Sequence, residues 1–261
     1  MQLSELMAAA QGDATGVTID VPDTWLQGRS VFGGLQAAVA VAAMRRALPD
    51  PVPLRTLQMT FIAPVPAGAV SASATVLRQG KSATHVEARL ERDGEVLAHV
   101  IGVFGQARAS SVRRDVAPVS AVNGEGRLFP YIEGLTPRFM QHFQARLRQG
   151  GFPFSGSREP RQAYTLALRD QGASTEAHVL ALADFVPPVA LSLLASPSPG
   201  SSLTWMLELL VDTLDGLPLE GWQAESDMVA ARDGYTSQST ILYAPGGEAV
   251  ALSRQSMVVF A

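Results

Sequence analysis

The chain of 261 residues contains no cysteine. That excludes a disulfide-stapled scaffold, zinc held by thiolates and a cysteine nucleophile. Charge is scarce too: Asp, Glu, Lys and Arg supply 17% of residues, below the roughly 25% usual in soluble domains. Acidic residues number 24 against 20 basic ones, a formal charge of −4, and the isoelectric point is near 5.6. No run of Lys or Arg occurs, so the chain lacks the electrostatic footprint of a nucleic-acid partner. No uncharged apolar run reaches the roughly 18–20 residues of a membrane span. The opening MQLSELMAAA has no basic start and carries Glu5, which makes it a poor secretory signal. What the chain has in quantity is apolar surface, 47% of residues, enough to fill one large domain or two of roughly 130 residues. The expectation is a soluble cytoplasmic protein.

Gly33 and Gly34 open a segment that carries Arg45 and Arg46 in its last turn and meets Pro49 just beyond. These are helix boundary signals. From Leu35 to Met44 the one polar side chain is Gln36, and a helix apolar on nearly every side is a buried helix. Strands that can wrap it read at Leu54–Pro64, Val70–Leu77, Ser82–Arg92 and Glu95–Gly105. Within His85–Arg92, Val86, Ala88 and Leu90 alternate with Glu87, Arg89 and Glu91, the period of a half-buried strand. Asp93-Gly94 is a strong two-residue hairpin signal. Residues 1–106 therefore read as one helix wrapped by an antiparallel sheet.

Residues 107–128 are small, polar and aperiodic, as in a linker. In residues 129–261 the pattern returns. A second apolar helix spans about Ser174–Leu194, with a Pro187-Pro188 break inside it. Strands follow at Ser202–Val211, Trp222–Arg232, Tyr235–Tyr243 and Glu248–Phe260, the last hairpin turning at Pro245-Gly246-Gly247. Setting Gly94 against Gly247 matches Glu95 to Glu248, Leu97 to Val250 and Ala98 to Ala251. The match points to an internal duplication of about 120 residues; chance similarity of two antiparallel sheets is the alternative.

Several familiar sites are missing. There is no G-x-S-x-G elbow. Gly80-Lys81-Ser82 ends like a P-loop, but Thr75 stands where the first glycine is needed. His85, His99, His142 and His178 lack metal-ligand spacing and read as surface or boundary residues. No metal or cofactor is expected. Three positions stand out instead. Asp184 interrupts an apolar stretch from Val179 to Val189, where a carboxylate needs partners or a function; a structural Asp at the Pro-Pro break is the alternative. Gln255 sits in the apolar closing strand, where it has a role or faces solvent. Ser202 begins a strand or ends the preceding Ser/Pro loop.

A buried helix cradled by a curved antiparallel sheet, present twice, resembles the double hot-dog fold, of α+β class. Val31-Phe32-Gly33-Gly34, Phe61 to Gly68 and Leu77 to Ser82 resemble the first half of the acyl-CoA thioesterase II family. Ala183 to Leu191 and Arg254-Gln255 resemble its second half. The resemblance implies hydrolysis of a fatty acyl-CoA by a water that Asp184, Ser202 and Gln255 position. It also implies backbone donors at a helix N-terminus, with Gly34 a candidate, and a homodimer or dimer of dimers. Arg78 and Lys81 are candidates for the CoA phosphates. The chain departs from the family's usual pattern in having Ser202 for a Thr, Thr204-Trp205 for Asp-His, and Ser256-Met257 after the Gln. The aligned halves put Gly102 opposite Gln255 and a residue near Ala38 opposite Asp184, which places one active site in the second half. Two other readings remain: a hot-dog enoyl-thioester hydratase, and a non-catalytic acyl-thioester binding protein.

Overall fold

In the computed structural model, which describes residues 1–120 and 124–260, the glycine pair does open a helix. This helix, α2 (Gly33–Ala47), follows a short helix α1 (Leu3–Ala8). Every residue from Gly33 to Val41 is buried, together with Ala43 and Met44, so the nearly all-apolar run has its packing explanation. The first strands are β1 (Gln11–Asp13), β2 (Gly16–Val21), β3 (Leu26–Gln27) and β4 (Ser30–Val31). After α2 come β5 (Leu54–Phe61), β6 (Gly68–Gln79), β7 (Thr84–Arg92) and β8 (Glu95–Phe104). Beyond them lie β9 (Arg127–Leu128), β10 (Phe143–Gln149) and β11 (Arg161–Leu168). Helices α3 (Glu176–Ala183) and α4 (Val189–Leu193) precede β12 (Gly200–Leu209), β13 (Trp222–Arg232), β14 (Tyr235–Tyr243) and β15 (Ala249–Val259).

Among the described residues, thirteen strands make one sheet in the order β1-β2-β6-β7-β8-β5-β12-β15-β14-β13-β11-β10-β9. The pairings are antiparallel, and β5 meets β12 at the seam, with Met59 opposite Trp205 and Leu57 opposite Leu207. Outward from that seam, β5-β8-β7-β6-β2 on one side follows the same order of roles as β12-β15-β14-β13-β11 on the other. The tight turns obey their local chemistry. Asp93 and Gly94 have φ of 52° and 82°, and Asp233 and Gly234 have 54° and 79°, as a two-residue turn with both central residues left-handed requires. α2 and α3 pack against each other beneath the sheet. A Cβ on Gly34 would lie 2.8 Å from the Ala181 Cα, so the glycine permits that close crossing.

The second helix differs from the sequence expectation. The chain over Ser174–Leu194 forms two helices, and Asp184 to Pro188 lie between them. A proline excludes the helical conformation at the residue before it and offers no N–H, so Pro187-Pro188 end α3 instead of kinking a longer helix. Asp184 is thereby the C-terminal cap residue of α3, with φ −100° and ψ −1°. Strands β1 to β4, β10 and β11 were not expected. Within the expected linker, Arg127–Leu128 pair with β10 as an edge strand, while residues 121–123 lie outside the described ones. His178 is also not a surface residue. It is 1% exposed, its Nδ1 accepts the Thr175 backbone N–H at 3.0 Å, and its Nε2 reaches Asp170 at 3.0 Å. Asp170 accepts from the backbone N–H and hydroxyl of Ser4 as well, which ties α1 to the start of α3.

Candidate active site

Asp184 emerges from the end of α3 between buried Ala183 and Phe185. Its Oδ1 accepts a hydrogen bond from Nε2 of Gln255, and the backbone N–H of Gly34, in the first turn of α2, lies near enough to the carboxylate to favour its charge. Burial pushes its pKa up to about 7, against the lowering effect of those two donors. A carboxylate that titrates near neutrality, held by a buried amide and facing a cavity, is suited to taking a proton from water. Gly34 was expected to offer its amide to a substrate carbonyl. That amide lies beside the Asp184 carboxylate.

Gln255 is 5% exposed on the inner face of β15. In register it lies between Trp205 of β12 and Gln238 of β14. Gln238, also buried, accepts the backbone N–H of Val189 at 2.9 Å through its Oε1. It therefore fixes the start of α4, just after the proline pair that releases Asp184 from the helix. Sequence reasoning missed it, because a glutamine in the polar stretch Thr236-Ser237-Gln238-Ser239-Thr240 carries no contrast with its neighbours. Ser202 depends on a register shift. Trp205, Leu207 and Leu209 point inward along β12, and a bulge between Ser202 and Thr204 shifts the alternation by one residue. A bulge of this kind re-aims a side chain, and Ser202 is brought opposite inward-facing Met257.

Asp184 and Ser202 line one cavity of about 460 Å³. Gly33, Gln36, Phe61, Pro188, Leu203 and Phe260 also line it, and Arg29 stands on its wall. Of the expected site residues, then, Asp184, Gln255, Ser202 and Gly34 are brought together. Arg78 and Lys81 are not. Arg78 pairs with His85, which pairs with Val103 opposite Thr56, while the cavity opens beside Phe61 at the other end of β5. Five residues of extended strand separate those levels, about 17 Å. Among the described residues, no group of three or more His, Asp or Glu side chains is placed to hold a metal ion.

The model for the N-terminal domain of acyl-CoA thioesterases matches residues 21–105, and that for the C-terminal domain matches residues 115–259. The chain belongs to the acyl-CoA thioesterase family. As a member it is a thioester hydrolase. No curated protein matches it. Among solved structures it resembles a hot-dog-fold protein of unknown function from Alicyclobacillus acidocaldarius, with TM-score 0.86 and 19% identity over 100% of this chain and 99% of that one. A candidate thioesterase II from Thermobifida fusca gives 0.82 and 19%, over 100% and 98%. The acyl-CoA thioesterase II from Mycobacterium marinum gives 0.73 and 14%, over 98% and 96%. At these identities the likeness shows a shared hot-dog fold.

Proposed function

We propose that this thioesterase hydrolyses a fatty acyl-CoA to the free acid and CoA at one site, in the second of two hot-dog repeats (1–106 and 129–261). The observation that carries the reading is the hydrogen bond from Gln255 to Asp184 at the wall of the cavity. Asp184, as carboxylate, takes a proton from water as the water oxygen bonds to the thioester carbon. Gln255 fixes the carboxylate, and Ser202 holds the water from the facing wall. The tetrahedral intermediate then expels the thiolate, which recovers the proton from Asp184. The reaction consumes one water, and no acyl-enzyme forms.

The contrast between the two halves supports a single site. Inward residues of β7 are Thr84, Val86, Ala88 and Leu90, whereas those of β14, its counterpart in the sheet order, are Thr236, Gln238, Thr240 and Leu242, so the middle of the strand is apolar in one half and polar in the other. A Cβ at Gly102, the residue aligned with Gln255, would lie 2.6 Å from the Met44 sulfur. The first half therefore fills with a methionine the space that holds an amide in the second. A hydratase would want a histidine as acid or base, and none lines the cavity among the described residues.

The test is release of free thiol from a panel of acyl-CoAs by wild type and by Asp184→Asn. The substitution keeps shape and an acceptor for Gln255 but removes the base, so kcat falls by roughly 10²–10⁴-fold with KM little changed. Tight acyl-CoA binding without turnover in wild type would favour the binding protein, and hydration of an enoyl-CoA would favour the hydratase.

A further inference from the structure

The hairpin that joins β3 to β4 carries Arg29 at its tip. Gly28, with φ of +64°, forms the two-residue turn with it, and Leu26 and Gln27 pair with Val31 and Ser30 behind. The base of the hairpin is pinned. Val31 N–H donates to Val65 carbonyl at 2.7 Å and Phe32 N–H to Trp25 carbonyl at 2.9 Å. Val65 N–H donates to Ser30 Oγ at 3.0 Å, and Gln36 Nε2 donates to Val31 carbonyl at 2.5 Å. A rigid base thus holds an exposed arginine beside the cavity of Asp184. Arg29 is the one Lys or Arg among the described residues that line this cavity. Most of the other arginines are engaged, as Arg45 is with Glu176, Arg55 with Asp212 and Arg138 with Asp23. Arg29 makes no ion pair or hydrogen bond among the described residues.

The wall beneath Arg29 is polar as well as fixed. Gln36 is 3% exposed and lines the cavity, and its Nε2 donates to the Ser30 hydroxyl and the Val31 carbonyl at the base of the hairpin. The arginine is therefore the one positive charge presented to a ligand on this side of the cavity. The CoA part of an acyl-CoA carries the matching negative charge, on the phosphates of its nucleotide end.

We propose that the β3–β4 hairpin is the CoA-binding side of the site, with Arg29 pairing with the CoA phosphates at the cavity rim. The assignment rests on the thioesterase reading above and replaces Arg78 and Lys81 in that role. An arginine at a rim attracts the phosphates without touching the reacting thioester, so it acts on substrate binding and not on the chemical step.

The experiment compares wild type, Arg29→Ala and Arg29→Glu on an acyl-CoA and on the matching acyl-pantetheine, which lacks every phosphate. In parallel, CoA binding is measured by calorimetry. A charge-assisted contact at an exposed rim gives a KM for acyl-CoA raised by about 5–20-fold in the alanine variant. The glutamate variant is affected more strongly, and in both kcat stays within about twofold. CoA affinity falls in parallel, and added salt narrows the gap between wild type and variants. On acyl-pantetheine the three proteins keep similar KM values. Equal losses on both thioesters would show that Arg29 only supports the hairpin, and unchanged KM and CoA affinity in Arg29→Glu would overturn the proposal. CoA binding that depends on Arg29, in a protein that hydrolyses neither thioester, would uphold this site and sink the hydrolytic reading.

Discussion

A Cβ placed on Gly33 would stand 2.6 Å from Oδ2 of Asp184 and 3.1 Å from the ring of Phe61. The first residue of one buried helix thus makes the space in which the carboxylate at the end of the other sits. Gly34 has a different task, since its missing side chain would meet the Ala181 backbone. Gly33→Ala should therefore displace the carboxylate. A misplacement of about 1 Å is enough to lower turnover roughly 10²-fold, with overpacking adding about 1–3 kcal/mol of destabilisation. Gly34→Ala should instead lose stability first, because the Ala181 backbone cannot move without shifting α3. Steady-state kinetics and urea denaturation of the two variants check the division. Equal activity per folded molecule in Gly33→Ala and wild type would refute it.

The raised pKa of Asp184 sets the pH dependence of turnover. In the proposed mechanism the carboxylate is the reactive form, and burial holds its pKa at about 7. The value of kcat/KM should rise with pH and level off above an apparent pKa near 7. In Asp184→Asn the small residual rate should lose that step. A wild-type profile flat from pH 5 to 9 would remove Asp184 as the base.

The same shift bears on stability with the opposite sign. The folded protein holds the Asp184 proton up to pH about 7, whereas an unfolded Asp releases it near 3.9. Between those values the native state binds more protons than the unfolded state, so stability falls as pH rises through the window. Three units correspond to at most about 4 kcal/mol. Asp184→Asn carries no such penalty. It should match wild type near pH 4 and exceed it in Tm at pH 8, the margin growing between. A margin that does not change with pH would mean that the group does not titrate in this range.

The legible parts of this molecule are those whose signal is local. Trp222–Arg232 and Tyr235–Tyr243 fall where the sequence places them, because an Asp-Gly turn and alternating side chains fix both ends. Asp184 is visible as the one carboxylate in an apolar run. Arg161–Leu168 is buried at nearly every position, so it lacks the alternation that marks a strand with one solvent face. β2 has that alternation in Val17, Ile19 and Val21, over six residues only. What a local signal cannot show is which groups meet across the fold. Gly33 meets Asp184 because two helices cross, and Arg29 reaches the cavity because a hairpin folds over its edge. Neither is encoded in spacing.

In the proposed mechanism Gln255 acts on the carboxylate and Ser202 on the water, so their variants should be separable by pH. The Gln255 amide donates to Asp184 Oδ1 and pulls its pKa down against burial. Gln255→Leu removes that donor, so the carboxylate becomes harder to ionise and the rising limb of kcat/KM should move above pH 7. Raising the pH should then recover part of the lost rate. Ser202→Ala takes away a hydroxyl that shares the cavity wall but is absent from the groups that set the pKa of Asp184. It should lower kcat by about 10-fold or more, as loss of one positioning hydrogen bond of about 1.5 kcal/mol does, with the limb left near its wild-type position. If Gln255→Leu lowers the rate without moving the limb, the amide orients the water and does not tune the base. If Ser202→Ala moves the limb, the hydroxyl bonds the carboxylate itself, and the two residues exchange roles.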